Sequence, residues 1–384
     1  MLKIKCLAVP PDKGTIFLLV VALGLSAPVP VSAYDVTDKL TLEVAGTGVY
    51  QHGDFTDTDD GIDKKGGGAV VVDLLAGFQP TDSDEFQMVL SYAAGNALNN
   101  VAADAGFTLA PFADDLEDDL RNINGRNRDT LLTAWYKHTF GRENRSTDLT
   151  GGIIDSTEYL DDNAYANDEI SQFMNDIFVN NTLLNLPSYD IGGAVEFDSG
   201  KWQLHGVIMN SLTGPKDQGG RSYNYYAAQA GFTSESAGGN EGNYRFIAYT
   251  TTKSFENAAG TALEPLRGVG VSLDQAFSEK FGLFARLGWQ DDDAAVDHKA
   301  VYSVGLDVSG IRNSDDNAGV GVAFLDGADN SGLDDTVAFE GYVKFQLGEY
   351  ADGSIDIQYM KENRVGPVND PDTWIIGGRI NAYF

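Results

Sequence analysis

Sulfur chemistry is missing from the mature chain, because Cys6, the one cysteine of 384 residues, lies in an N-terminal export segment. Neither a disulfide framework nor a reactive thiol is expected. Basic residues are scarce: 26 Lys and Arg against 57 Asp and Glu leave a formal charge of −31. Nucleic-acid binding, which needs a basic footprint, is excluded on that ground. Histidine is scarcer still, and His52, His138, His205 and His298 show no metal-ligand spacing with one another. With no G-x-S-x-G, nothing points to a catalytic centre, and no enzyme, metal site or cofactor is expected. No G-x-G-x-x-G opens a helix, which removes a nucleotide fingerprint. Past residue 33 no apolar run approaches the ~18 residues of a membrane-spanning helix.

The first 33 residues are an address. Lys3, Lys5 and Lys13 form a positive region, Thr15 to Leu25 is an apolar stretch of eleven, and Val31-Ser32-Ala33 supplies a small-x-small cleavage site. This is a secretory signal peptide, and Cys6 stands away from its cleavage point, so a lipid anchor is not expected. Its removal takes away three Lys and one Asp, moving the charge from −31 to about −33. Two destinations remain: a secreted soluble protein, or an outer-membrane β-barrel. Barrels hide in hydropathy because only alternate residues face lipid.

Alternation is what the mature chain has. Tyr302, Val304, Leu306 and Val308 share one face of a strand, with Ser303, Gly305 and Asp307 on the other. Val343, Phe345 and Leu347 alternate with Lys344 and Gln346, and the last segment alternates to Phe384. Strands are read at 39–50, 68–79, 85–94, 130–140, 149–155, 190–197, 201–210, 222–233, 242–251, 264–275, 280–289, 299–309, 319–324, 335–347, 353–360 and 372–384. That makes about sixteen, the even count of single-chain bacterial barrels. Connections after even-numbered strands are short, and those after odd-numbered strands are long. Short periplasmic turns and long external loops predict an all-β transmembrane antiparallel barrel spanning 34–384. Trp135, Tyr136, Phe140, Trp202, Trp289, Tyr302, Trp374, Tyr383 and Phe384 fall near strand ends, where interfacial girdles belong. Glycines at 46, 48, 268, 270, 319 and 321 suit curvature or close backbone approach.

One segment breaks the pattern. In NDEISQFMNDIF, from Asn167 to Phe178, the residues Ile170, Phe173, Met174, Ile177 and Phe178 recur as an amphipathic helix stripe. Asn167 is placed to cap it, and Asp168 and Glu169 sit in its first turn. The other long loop, Gly95 to Asp129, carries DDLEDD and reads as a surface loop. DFTDTDDGID at Asp54 to Asp63 fails the calcium-loop spacing and reads as a solvated acidic loop, with divalent ions bridging it to lipopolysaccharide as the alternative.

The segment LTGGIIDSTEYLDDNAYANDEISQFMNDIFVNN, followed by LPSYDIGGAVEF, runs from Leu149 to Phe197 with a gap. It resembles the carbohydrate-selective porin family, the OprB type. The shared order is a strand ending in Gly, an acidic Asn-rich loop, a short helix centred on Gln-Phe and a Pro-containing return. FGLFARLGWQ at Phe281 to Gln290 also matches, as does the region from Asp335 to the C-terminus, so the likeness covers roughly the last two thirds. It implies passive diffusion of sugars through a sixteen-stranded barrel, with Phe384 as the signal to the barrel-assembly machinery.

Alternation points Lys137, Arg245, Arg286 and Arg379 inward, since Tyr136, Phe246, Leu287 and Ile380 claim the lipid face. They are candidate pore-lining residues together with the wall acid Glu196. The alternative for these cations is simple pairing with wall acids such as Glu196, Asp307 or Glu340. If the loop 156–189 folds into the barrel, Glu158, Tyr165, Asn167, Asp168 and Glu169 become eyelet residues opposite a basic wall. The alternative is an external lid or an oligomer contact. The expected partners are carbohydrate solutes, outer-membrane lipid and lipopolysaccharide, with a homo-oligomer left open. The competing functions are a general or cation-preferring porin and a structural or adhesive surface protein.

Overall fold

The computed structural model describes residues 34–113, 120–142, 145–215, 219–235 and 239–384. The signal peptide assigned to 1–33 and the acidic run 114–119 lie outside these. Sixteen antiparallel strands form one barrel: β1 Leu40–Thr56, β2 Lys64–Thr81, β3 Asp84–Ala94, β4 Leu131–Arg142, β5 Arg145–Ile154, β6 Asp190–Ser199, β7 Trp202–Leu212 and β8 Ser222–Glu235. They continue as β9 Glu241–Thr251, β10 Arg267–Ala276, β11 Phe281–Gln290, β12 His298–Ser309, β13 Asn317–Gly327, β14 Leu333–Gln346, β15 Ala351–Arg364 and β16 Asp372–Tyr383. Each strand pairs with its sequence neighbour, and β16 returns to β1 from Asp372↔Thr56 to Tyr383↔Ala45, so no edge is left open. A short strand, Tyr34–Thr37, doubles back on β1, and a two-residue ribbon decorates the β9–β10 loop.

Every strand read from the alternation is present. The main difference is length: β1 runs on to Thr56 because its ladders to both β2 and β16 continue there. The alternation of connections holds for most of the chain, with turns at 82–83 and 200–201 against loops at 95–130 and 155–189. It lapses near the end, where the loop 328–332 is shorter than the turn 310–316.

The outside of the barrel is apolar. Val304, Leu306, Val320, Val322, Ile355, Ile357 and Ile376 stand exposed, while Ser303, Asp307, Asp356 and Gln358 on the same strands are buried inside. Aromatic rows mark both rims: Phe78, Phe86 and Tyr136 in contact at one end, and Trp289, Tyr302 and Phe324 at the other. An apolar belt between two aromatic rows is a lipid-facing wall. Among the described residues no helix is long and apolar enough to cross a membrane. Trp135 and Tyr383 do not belong to the girdle. Trp135 is 8% exposed inside the barrel, and the Tyr383 hydroxyl donates inward to Asp352.

The core sits inside the barrel. Phe284, Ala323, Leu325, Ala338, Tyr342, Met360 and Ile375 on the inner wall pack against Phe173, Ile177 and Phe178 from one loop, and Leu98, Phe107 and Leu109 from another. The loop 95–130 is therefore not a surface loop, as its acidic run suggests. Its described part folds inward through the helix α1, Asn99–Ala105, and meets the other loop where Ala113 N donates to Met174 O and Asp176 N to Ala110 O.

The helix expected over 167–178 is mostly absent. Only α2, Asp176–Val179, is helical, and it is capped by Asn175, not by Asn167. The apolar stripe is buried all the same: Phe173, Met174, Ile177 and Phe178 are each at most 1% exposed. Helical bonds are replaced by bonds to the wall. Glu340 accepts from the Met174 and Asn175 amides, while Arg379 and Asn381 donate to the carbonyls of Glu169, Gln172 and Ile170. Tertiary partners override a helical period when they satisfy the backbone better than one more turn would.

Candidate functional site

The loop between β5 and β6 begins with its two ends tied together. Ser156 N and Oγ both donate to Pro187 O, at 3.1 and 2.7 Å, and Asp155 accepts from Thr157 and Ser188. From that neck the chain crosses to the far wall. His205 Nδ1 donates to Tyr159 O at 2.9 Å, and the Asn163 amide donates to Ser272 and Leu273. Tyr165 then lies flat on the wall at Gly282, where an added Cβ would sit 2.1 Å from its ring. Phe178 uses Gly321 in the same way, at 2.9 Å. The strand glycines are seats for loop side chains.

The Asn and Asp content of the loop has a direct cause. Asp155, Asn163, Asp168, Asn175 and Asn181 each accept a hydrogen bond from the amide two residues onward. A loop inside a barrel has little water to satisfy its amides, and short acceptor side chains do it locally.

The inward arginines hold this loop. Arg286, 1% exposed, places Nε 3.0 Å from Asp161 and donates through Nη1 to Phe178 O at 2.8 Å. Asp161 in turn accepts from Asn181 N at 2.6 Å. Arg379, also 1% exposed, donates to the Glu169 and Gln172 carbonyls. Arg245 pairs with Asp274 at 2.6 Å and with Asp162 at 3.9 Å. None of the three lines open space. The expectation of a basic wall across an eyelet is corrected: these cations are sealed beneath the loop, held by its carbonyls, by Asp161 and Asp162, and by Asp274. Glu196, Asp307 and Glu340 are not their ion partners. Lys137 faces inward on the opposite wall, bound to Glu85 at 2.8 Å.

Open space remains between the near edge of the loop and strands β3 and β4. A cavity of about 330 Å³ there is lined by Val89, Leu132 and Thr133 from the wall, and by Asp155, Thr157, Glu158, Asn167, Asp168, Glu169 and Tyr189. Glu158, Asn167, Asp168 and Glu169 thus meet in one place. Tyr165 lies apart on Gly282, and Glu196 faces His205 across β6 and β7. Glu158 is exposed on the cavity but crowded by protein elsewhere. Burial, then the Asp155 charge, push its carboxyl up to about 7, with Glu196 adding and Lys137 opposing. Glu169 is raised to about 7 by burial and then Asp168, with Asp155 adding and Arg379 opposing. Such groups change charge near neutral pH.

Sequence reasoning missed Asp161, Thr133, Tyr189 and the role of Glu340. Asp161 was hidden among neighbouring acids, and only its position opposite Arg286 distinguishes it. Alternation alone makes Glu340 a wall acid; its loop-holding role depends on where Met174 and Asn175 arrive.

No family model matches the chain. An uncharacterized protein of Aquifex aeolicus is 31% identical over 291 residues, covering 76% of this chain and 81% of that one. Among solved structures, the high-pH structure of Pseudomonas putida OprB aligns with a TM-score of 0.72 at 15% identity, over 90% of this chain and 94% of that one. The low-pH structure of the same protein gives 0.56 at 14% identity, over 90% and 93%. The chain belongs to one family with the Aquifex aeolicus protein, and its sixteen-stranded barrel has the fold of OprB.

Proposed function

We propose that this protein is an outer-membrane porin through which small carbohydrates diffuse passively into the periplasm. The observation that carries this reading is the composition of the cavity between the loop and β3–β4. Hydroxyl-binding groups (Glu158, Glu169, Asn167, Thr157, Thr133) stand there beside apolar and aromatic surface from Val89, Leu132 and Tyr189. A sugar presents hydroxyls on its rim and apolar ring faces, and needs both kinds of surface in one constriction. The cavity volume of about 330 Å³ is at the small end of ligand sites.

Passage needs no chemistry. Each hydroxyl exchanges water for a protein acceptor, and a net gain of about 0.5–1.5 kcal/mol per hydrogen bond keeps the stay short. Weak binding is what conduction requires, since a solute must leave as readily as it enters. The resemblance of Leu149 to Phe197 to OprB-type porins supports the same reading. The lipid-facing belt fits an outer-membrane address, with lipopolysaccharide and the assembly machinery as the partners this reading carries.

Proteoliposome swelling tests the proposal. Monosaccharides should enter faster than non-sugar solutes of equal size and should block ionic current in planar bilayers. Swelling rates that follow solute size alone, with no block, would leave a general porin. A barrel with no conductance would leave a surface protein with a structural or adhesive role.

A further inference from the structure

We infer that the passage selects by charge within the carbohydrate class, and that protonated aminosugars and amino-polyols are favoured over neutral and anionic sugars. This rests on the porin reading and goes beyond it by naming the sign of charge. Four of the ten residues lining the cavity are carboxylates, and none is Lys or Arg. The cations nearby donate to protein groups: Lys137 to Glu85, Arg286 to Asp161, Arg126 to Asp190, Arg379 to two loop carbonyls, and Arg128 to the Tyr189 carbonyl.

The carboxylates divide into two kinds. Asp155 and Asp168 are used by the loop itself, accepting from Thr157 and Ser188, and from Ile170 and Ser171. Glu158 accepts no such bond among the described residues, Glu169 accepts one only from its own amide, and both line the cavity. A second feature marks the place as a site for a polar solute. Thr133 is 3% exposed, faces the cavity from β4, and its hydroxyl finds no hydrogen-bond partner within the protein. A buried, unpartnered hydroxyl beside two carboxylates that form no ion pair among the described residues suits a molecule bearing both hydroxyls and an ammonium group.

Three linear polyols of one carbon skeleton provide the test: N-methylglucamine (cationic), sorbitol (neutral) and gluconate (anionic), applied to the full-length barrel in planar bilayers at pH 8.5. N-methylglucamine should block current at about fivefold lower concentration than sorbitol, the factor expected for one carboxylate at ~4 Å in a water-like medium. Gluconate should block least, and the reversal potential in a KCl gradient should favour potassium over chloride. On the unmodified protein, lowering the pH to 5.5 should erase the gap, because Glu158 and Glu169 then take up protons. Glu158→Gln combined with Glu169→Gln should erase it at pH 8.5. Thr133→Val should weaken block by all three polyols, about threefold, and leave the ion preference in place.

Equal block by N-methylglucamine and sorbitol would overturn the inference, as would a gap that survives both acidification and the double substitution. The carbohydrate reading fails differently: sorbitol would not block at all, while the potassium preference would still report the sign of the passage.

Discussion

The inner faces of β10–β16 and of β2–β5 belong to one barrel, yet they differ in what is set between their polar groups. The first carries Phe284, Gly321, Ala323, Ala338 and Ile375, small or apolar residues on which two loops are seated, with Arg286, Glu340 and Arg379 among them bonding the loop backbone. The second carries Asp73, Ser91, Thr133, Lys137 and Asp148, polar residues that face the remaining space or one another. Outside, both alternate in the same way. The difference teaches how to read an inner face: glycine, alanine and phenylalanine mark a seat for a loop, and charges beside them pin its backbone, whereas hydroxyls and charges without such a seat border the remaining space.

The largest expected effect comes from unseating the loop. Arg286→Ala leaves Asp161 buried without its cation, a loss of about 3–5 kcal/mol for a buried pair. Single-channel conductance should rise several-fold, and protease should reach the loop between β5 and β6. Conductance unchanged from the unmodified barrel would show that the seated half does not set the pore size. Glu340→Ala comes next, since it strips the acceptors of the Met174 and Asn175 amides. Each stranded amide costs about 1–3 kcal/mol, so current should become noisy with brief large openings. Gly282→Val is milder, at about 1–3 kcal/mol for overpacking, because Tyr165 must lift from the wall. A lower melting temperature with normal sheet content by circular dichroism would match this.

The open half should respond to pH. Glu158 and Glu169 are raised to about 7, so both are protonated and neutral below that value and charged above it. Potassium preference should therefore grow from pH 5.5 to 8.5 with a midpoint near 7, and a flat profile would remove these two residues from the passage. The smallest effect belongs to Lys137→Ala. Its pair with Glu85 is partly solvated and contributes at most about 1 kcal/mol. Stability should barely change, and potassium preference should rise slightly as a cation leaves the wall.

The barrel was legible because its two signals are local. Period-two alternation depends only on which side of a strand meets lipid, and the lengths of most turns and loops follow the end of the barrel they join. The loop was legible in part. Its apolar stripe at Phe173, Met174, Ile177 and Phe178 did signal burial, but the 3.6-residue period named the wrong backbone. Nothing local distinguishes a stripe packed as a helix from one pinned by Glu340, Arg379 and Asn381. The basic wall failed for a related reason: alternation points Arg245, Arg286 and Arg379 inward, but inward is occupied.

By itself the sequence determined a closed, lipid-facing sheet of sixteen strands and a long polar loop with apolar residues to bury. Only the tertiary structure decided which half of the interior that loop fills, which charges it neutralises, and which carboxylates are left facing the remaining space. Alternation is set by each residue's own contact with lipid or interior. The pairing of Arg286 with Asp161, 125 positions apart, exists only after the barrel has closed.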